Sequence, residues 1–210
     1  EIHRRRIDHA RSRGDEQHGG LGRGERAGEG DRGAAQDPPH RPDATVASRS
    51  TRMQVAVLSD IHANRHALEA VLEDVERSDA QEIWCLGDVV GYGADPNDCC
   101  RLIAERSAVC LAGNHDLAVT GELTLDDFSR GAALAARWTQ DVIEPGALEW
   151  LSGLRPGGER EGVALFHGSP RDPVWEYVLS ALLADLCFDA TPADVTLIGH
   201  SHVALSFHRE

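Results

Sequence analysis

The chain has 210 residues and a formal net charge of −14. That length suits one ordinary domain whose core is stable without disulfides. The charge is unevenly placed: residues 1–52 hold 11 Arg against 9 acidic residues, a balance of +2, whereas residues 53–210 hold 10 Arg against 26, a balance of −16. A nucleic-acid-binding surface needs a basic stripe to neutralise phosphates, and none is evident outside the first 52 residues. The acidic excess fits a site compensated by bound cations, although a negative surface that merely maintains solubility accounts for most of it.

Residues 1–52 are rich in Arg, Gly and Asp, with few large apolar side chains and no period of 2 or 3.6. Such a segment cannot offset its ordering entropy, so a disordered leader is expected there. Its acid content is unlike a transit peptide, and it lacks the hydrophobic segment of a secretory signal. Met53, the one methionine, directly precedes the first predicted strand, so the leader is read as either a native tail or translated upstream sequence before a start at Met53. Residues 53–210 then form the folded domain. No apolar run approaches the roughly 18 residues needed to span a bilayer. The five cysteines form no C-x-x-C pair, and Cys85 and Cys110 lie inside predicted strands, which points to a reducing, cytoplasmic compartment.

From Met53 onward, five short apolar runs each end on residues that bind metals. Val55–Ser59 runs into Asp60 and His62, Ile83–Gly87 into Asp88, and Val109–Gly113 into Asn114 and His115. Val163–Phe166 ends on His167, and Val195–Gly199 on His200 and His202. Runs of this length bounded by Gly, Asn or Asp read as strands buried on both faces. Between the first two, Asn64 caps a predicted helix with Leu68, Val71, Leu72 and Val75 at i, i+3, i+4 and i+7. A second helix is expected through Asp98–Arg106. Strands alternating with helices predict a parallel α/β core, which places sites beyond the carboxyl ends of its strands. Leu125–Leu154 reads as two helices broken at Pro145-Gly146, with Trp138, Val142, Leu148 and Leu151 as core contacts.

The five strand ends therefore converge on one cluster of carboxylate, amide and imidazole groups. Hard oxygen mixed with borderline nitrogen, without thiolate, suits Mn, Fe, Zn or Ni, singly or in pairs. Asp60 and His62 lie two residues apart in one loop, and Asp88 stands where a carboxylate can bridge two cations. Asp116 follows His115 and is expected to orient that imidazole through its free nitrogen. Any one of these residues, taken alone, is more often a capping Asp or an ordinary loop histidine; the ordered set is what carries the reading.

The series D-x-H, GD-x-x-G, GNHD, H and GH-x-H stands here as Asp60/His62, Gly87-Asp88, Gly113-Asn114-His115-Asp116, His167 and Gly199-His200-Ser201-His202. It resembles the calcineurin-like metallophosphoesterases over essentially all of residues 53–210. The resemblance implies an α/β fold of two facing mixed β-sheets flanked by helices, a four-layer sandwich, with a two-metal centre at the strand ends. It implies that Asp60, His62, Asp88 and His202 hold one divalent metal ion, and Asp88, Asn114, His167 and His200 the other. His115 would protonate the leaving oxygen or steady the phosphoryl group, with Asp116 fixing its tautomer. The implied reaction is hydrolysis of a phosphate-ester substrate, a phosphodiester or small phosphomonoester, by a metal-bound hydroxide.

Members resembling Ser/Thr phosphatases and dinucleoside tetraphosphatases carry an Arg soon after the bridging Asp. Here that stretch is Val89-Val90-Gly91-Tyr92-Gly93, which looks like the small bacterial phosphodiesterase-type members. Arg171 is either a phosphate contact or a solvated loop residue. Only eight residues follow His202, where the family continues for several strands, so a C-terminal truncation is expected. The competing readings are a non-catalytic metal-binding scaffold of the same fold and a truncated inactive product. Completeness of the ligand set favours the enzyme, and homo-oligomerisation is left open.

Overall fold

The structure, a computed structural model, describes residues 53–209; the expected leader over residues 1–52 lies outside them. In chain order, β1 (Val55–Leu58), α1 (Arg65–Glu76), β2 (Glu82–Cys85), α2 (Pro96–Arg106) and β3 (Val109–Cys110) make two consecutive strand–helix–strand units. Three helices follow, α3 (Asn114–Thr120), α4 (Arg130–Val142) and α5 (Pro145–Ser152). The chain then forms β4 (Gly157–Arg160), β5 (Val163–Phe166), α6 (Ala181–Asp189) and β6 (Val195–Ile198).

The first sheet has the order β1-β2-β3 and is wholly parallel, with Ala56 opposite Ile83, Leu58 opposite Cys85 and Trp84 opposite Val109. The second has the order β4-β5-β6; β4 runs antiparallel to β5, and β6 runs parallel to it. Only the second sheet is therefore mixed among the described residues. The parallel arrangement of the first follows from its helical crossovers, which cover one face.

Strand alternation sorts the apolar residues into layers. Ala56, Leu58, Ile83 and Cys85 point to α1 and α2, where Leu68, Leu72, Val75, Cys99 and Ile103 complete one buried cluster. Trp84, Leu86 and Leu111 point the other way and meet Val163 and Leu165, with Val195 and Leu197 beside them, so this second cluster fills the space between the sheets. Beyond the second sheet, Ile198 packs with Val178, Ala184 and Cys187 around α6. Two sheets between helical layers follow, as expected. Each fully buried Leu or Ile in these clusters contributes about 1.5–3 kcal/mol.

Asn64 caps α1 as the sequence predicts, its side chain accepting the Ala67 N–H at 3.1 Å. The break at Pro145 is also present, Pro145 opening α5. The expected core behind it differs. Leu151 is buried and Leu148 half-buried, but Trp138 and Val142 are exposed on α4. That helix buries Ala132, Ala136 and Thr139 instead, because small residues let it lie close to its neighbours. The β4 strand, Gly-Gly-Glu-Arg, carries no apolar signal. It forms because Glu161 and Gly162, both at positive φ, close a tight hairpin onto β5, and because Arg160 grips Glu82 of the first sheet at 2.7 and 2.8 Å. All five cysteines are free thiols. Among the described residues no helix is long and apolar enough to cross a membrane.

Candidate metal centre

Past its paired strands the first sheet continues as interlocked loops. The Leu58 carbonyl accepts from Leu86 N–H, Gly87 from Asp60, Asp88 from His62 and Val89 from Ala63, at 2.8–3.0 Å. On the second sheet, the His167 carbonyl accepts from Gly199 N–H at 2.8 Å. These rungs bring the ends of β1, β2, β5 and β6 to one edge. Asp60, His62, Asp88, His200 and His202 all lie at positive φ between 50° and 64°. Five non-glycine residues held in the left-handed region at one place cost of order 1–3 kcal/mol each, a concentration of strain expected of functional sites.

The close approach of loops also demands glycine at position 113. Its φ of −92° would suit any residue, but a Cβ there would strike the Asp88 carboxylate and backbone. The GNHD segment can therefore lie against Asp88, and the His115 N–H donates to Asp88 Oδ1 at 2.9 Å.

Seven candidate ligands fall into two adjoining groups, and His115 meets His62 and Asp88 in a third. In one, His62 Nε2 is 3.0 Å from His202 Nε2 and 3.7 Å from Asp88 Oδ2, while His202 Nε2 is 3.4 Å from Asp60 Oδ1. In the other, His167 Nε2 is 3.5 Å from Asp88 Oδ2 and 3.1 Å from Asn114 Oδ1, and His200 joins Asp88 and His167 in a third-corner position. Asp88 touches both groups. Asp60 further accepts the His200 N–H at 3.1 and 3.2 Å, tying the first and last loops together.

The hydrogen-bond partners fix which ring atoms carry protons. His167 Nδ1 lies 2.9 Å from the Leu86 carbonyl and His62 Nδ1 lies 3.3 Å from the Val90 carbonyl. A carbonyl only accepts, so each Nδ1 donates and each Nε2 is left with a lone pair aimed into the site. Burial lowers the basicity of the rings, to about 4 for His62 and His200 and downward for His167, the neighbouring imidazoles adding to the effect. Burial likewise pushes the Asp88 carboxyl well up, with Asp116 and Asp60 adding repulsion. Among the described residues the ion-pair partners of Asp60 and Asp88 are histidines alone.

With Asp88 ionised, acceptor faces acceptor: Nε2 of His167 against Asn114 Oδ1 and Asp88 Oδ2, and Nε2 of His62 against Asp88. Among the described residues His200 Nε2 is buried with no hydrogen-bond partner. Such an assembly is self-repelling until a cation enters. Two donors about 2.1 Å from a common ion, at octahedral or tetrahedral angles, stand roughly 3.0–3.4 Å apart, the range of most of these separations. The residues fit divalent cations.

A ring of aromatic side chains surrounds the two groups. Tyr92 lies 4.8 Å from the His62 ring and 4.5 Å from that of His115. Phe128 lies 5.2 Å from His115 and 5.0 Å from Trp175, and Tyr177 stacks on His200 at 3.9 Å. Burial raises the Tyr92 phenol, and Asp88 and Tyr177 raise it further.

Residues 53–204 match the model of the calcineurin-like phosphoesterase family. The chain belongs to that family. It is 38% identical over 157 residues to the uncharacterized protein MJ0912 of Methanocaldococcus jannaschii, a match covering 72% of this chain and 63% of that one. It superimposes on the crystal structure of a metallophosphoesterase from Sphaerobacter thermophilus with a TM-score of 0.64 and 39% identity, over 72% of this chain and 61% of the other. The chain thus spans somewhat under two thirds of these relatives. A shorter match, 35% over 68 residues, relates 31% of it to 25% of a symmetrical bis(5'-nucleosyl)-tetraphosphatase of Actinobacillus pleuropneumoniae. The hypothetical protein PH1004 of Pyrococcus horikoshii shares the fold at 19% identity, with a TM-score of 0.59 over 70% of this chain and 69% of that one.

Calcineurin-like phosphoesterases bind divalent metals, and the His and Asp groups described here could hold them. One expectation about a neighbouring residue needs correction. Asp116 does not reach the His115 ring: its carboxylate accepts from Gly113 N–H at 2.9 Å, Val90 N–H at 3.0 Å and Val89 N–H at 3.3 Å. Burial raises this carboxyl to about 6 against the pull of those donors. Asp116 is the third residue of α3 and its side chain folds back onto the backbone before the helix, while the buried His115 ring packs against His62, Tyr92 and Phe128. Among the described residues His115 Nδ1 is buried without a hydrogen-bond partner, and burial beside other imidazoles lowers the ring to about 3. Arg171 is held by Glu176 at 3.2 Å. The aromatic ring was not foreseen: Tyr177, Trp175 and Phe128 belong to segments without motif, and only the tertiary fold brings them here.

Proposed function

We propose that this chain is a metal-dependent phosphoesterase, hydrolysing phosphodiesters or small phosphomonoesters at a two-metal centre in the cytoplasm. Asp60, His62, Asp88 and His202 would hold one divalent ion, and Asp88, Asn114, His167 and His200 the other. When bound, such ions neutralise charge on the phosphoryl oxygens and lower the pKa of coordinated water toward about 7. The chain's own part is positional. Backbone carbonyls of Val90 and Leu86 hold the His62 and His167 rings so that Nε2 faces inward. His115 lies beside His62 and Asp88, its Nδ1 has no hydrogen-bond partner among the described residues, and it would contact a phosphoryl or leaving oxygen.

The observation that carries this reading is the mutual approach of acceptor atoms around an ionised Asp88 with no Lys or Arg paired to it among the described residues. Purified protein, stripped by a chelator and then supplied with single divalent metals, tests it on bis-p-nitrophenyl phosphate and p-nitrophenyl phosphate. Hydrolysis should vanish on stripping and return with Mn²⁺ or a similar ion. Turnover that survives stripping, or that no metal restores, overturns the proposal.

A further inference from the structure

The two tyrosines beside the candidate ligands are more exposed than packing alone explains. Tyr92 and Tyr177 retain 54% and 50% of their accessible surface. Neither hydroxyl hydrogen-bonds to another group among the described residues. Tyr92 sits against His62 and His115, on one side of the ligand groups, and Tyr177 lies over His200 on the other. Phe128 and Trp175 close the arc between them through contacts with His115 and with each other, and Trp175 reaches His200 at 6.4 Å. Tyr92 is also held at a φ of 57°, an uncommon conformation for an aromatic residue, and Gly91 beside it must lack a Cβ because one would strike the His115 ring. The backbone is thus distorted in a way that keeps the Tyr92 ring at the mouth. Arg171, the basic residue on the adjoining loop, is tied to Glu176. Among the described residues the wall offers flat π-faces, and its one neighbouring Arg is paired.

From this arrangement we infer that Tyr92 and Tyr177 are jaws for the organic part of the substrate, selecting phosphate esters that carry a planar aromatic ring close to the phosphorus. This rests on the phosphoesterase reading above. A flat ring can stack on the exposed face of either tyrosine, whereas a puckered aliphatic ring of the same size loses π-stacking and keeps only the area it buries. Stacking of one aromatic group is worth about tenfold or more in affinity.

Benzylphosphonate and cyclohexylmethylphosphonate differ in planarity and share the phosphonate and the linking carbon. Their affinities for Mn²⁺-loaded protein, measured by calorimetry, should differ by about tenfold in favour of the benzyl compound. Tyr92→Phe and Tyr177→Phe should keep that preference. Tyr92→Leu and Tyr177→Leu should reduce it toward unity while the metal content per chain stays at the wild-type level. Equal affinities in the wild type, or a preference that survives both Leu variants, overturn the inference. So does loss of metal in step with loss of ligand, because the rings would then only brace His62 and His200. Turnover of benzyl phosphate and cyclohexylmethyl phosphate, whose leaving groups are of similar basicity, separates the two proposals. Hydrolysis of both with no binding preference removes the jaws alone; a binding preference with no hydrolysis removes the phosphoesterase reading alone.

Discussion

Asp116→Asn distinguishes a residue that orients His115 from one that holds the backbone beneath the site. The substitution preserves shape and removes one acceptor oxygen. Asp116 Oδ2 accepts from Gly113 and Val89 while Oδ1 accepts from Val90, all within a fully buried setting. If the amide oxygen keeps Gly113 and Val89, its NH₂ faces the Val90 N–H, donor against donor. The loss is one charge-assisted hydrogen bond, about 1.5–3 kcal/mol, together with a buried unsatisfied donor, about 1–3 kcal/mol. A net destabilisation of about 3–5 kcal/mol is expected, and at roughly 2–4 °C per kcal/mol the melting temperature should fall by about 10 °C. Thermal unfolding followed by circular dichroism in chelator is the suitable assay, since metal would add its own stabilisation. A variant that melts within about 2 °C of wild type yet loses turnover would return Asp116 to the service of His115 and refute the backbone role.

His115→Gln should lower turnover by about 10²–10⁴-fold while elemental analysis finds the metal content unchanged, because this ring lies beside the ligands without being assigned to either group. A loss of less than about tenfold, or a loss of metal, counts against that placement. Glu82 is held down to about 2 from an ordinary value of 4.5 by its hydrogen bonds to Arg160 and then to Trp84. Its folded-state pKa is depressed, so its stabilising contribution is present above pH 4.5 and lost as pH falls toward 2. Melting temperatures of wild type and Glu82→Gln should differ near neutrality and converge over that acid window; a gap that is constant with pH would show that the ion pair is not its origin.

Much of this arrangement is written locally. The runs that end on Asp60, Asp88, His167 and His200 are short, continuous and apolar, and such a run stopped by a polar residue is read as a buried strand without tertiary information. The first helix is equally local, resting on Asn64 and the stripe at Leu68, Leu72 and Val75. Where the reading from sequence departs from the structure, the deciding contact is distant along the chain. Arg160 of β4 pairs with Glu82, 78 residues away, and nothing in Gly-Gly-Glu-Arg announces it. Adjacency in the sequence pairs Asp116 with His115, but successive residues in the first turn of α3 direct their side chains differently. Trp138 and Val142 were placed in the core for their apolar character, whereas the packing of α4 uses its alanines. Tyr177 lies 23 residues before the histidine it covers and is seen only once α6 and β6 are in place.

The left-handed backbone at Asp60, His62, Asp88, His200 and His202 constrains how this surface can change. Asp, His and Asn visit that region more readily than other side chains, and glycine does so freely. Any drift toward a sturdier empty fold therefore runs through glycine at these five places, and each such exchange relaxes the main chain while deleting a donor atom. Robustness and chemistry draw on the same dihedral angles, so here they can be improved only at each other's expense.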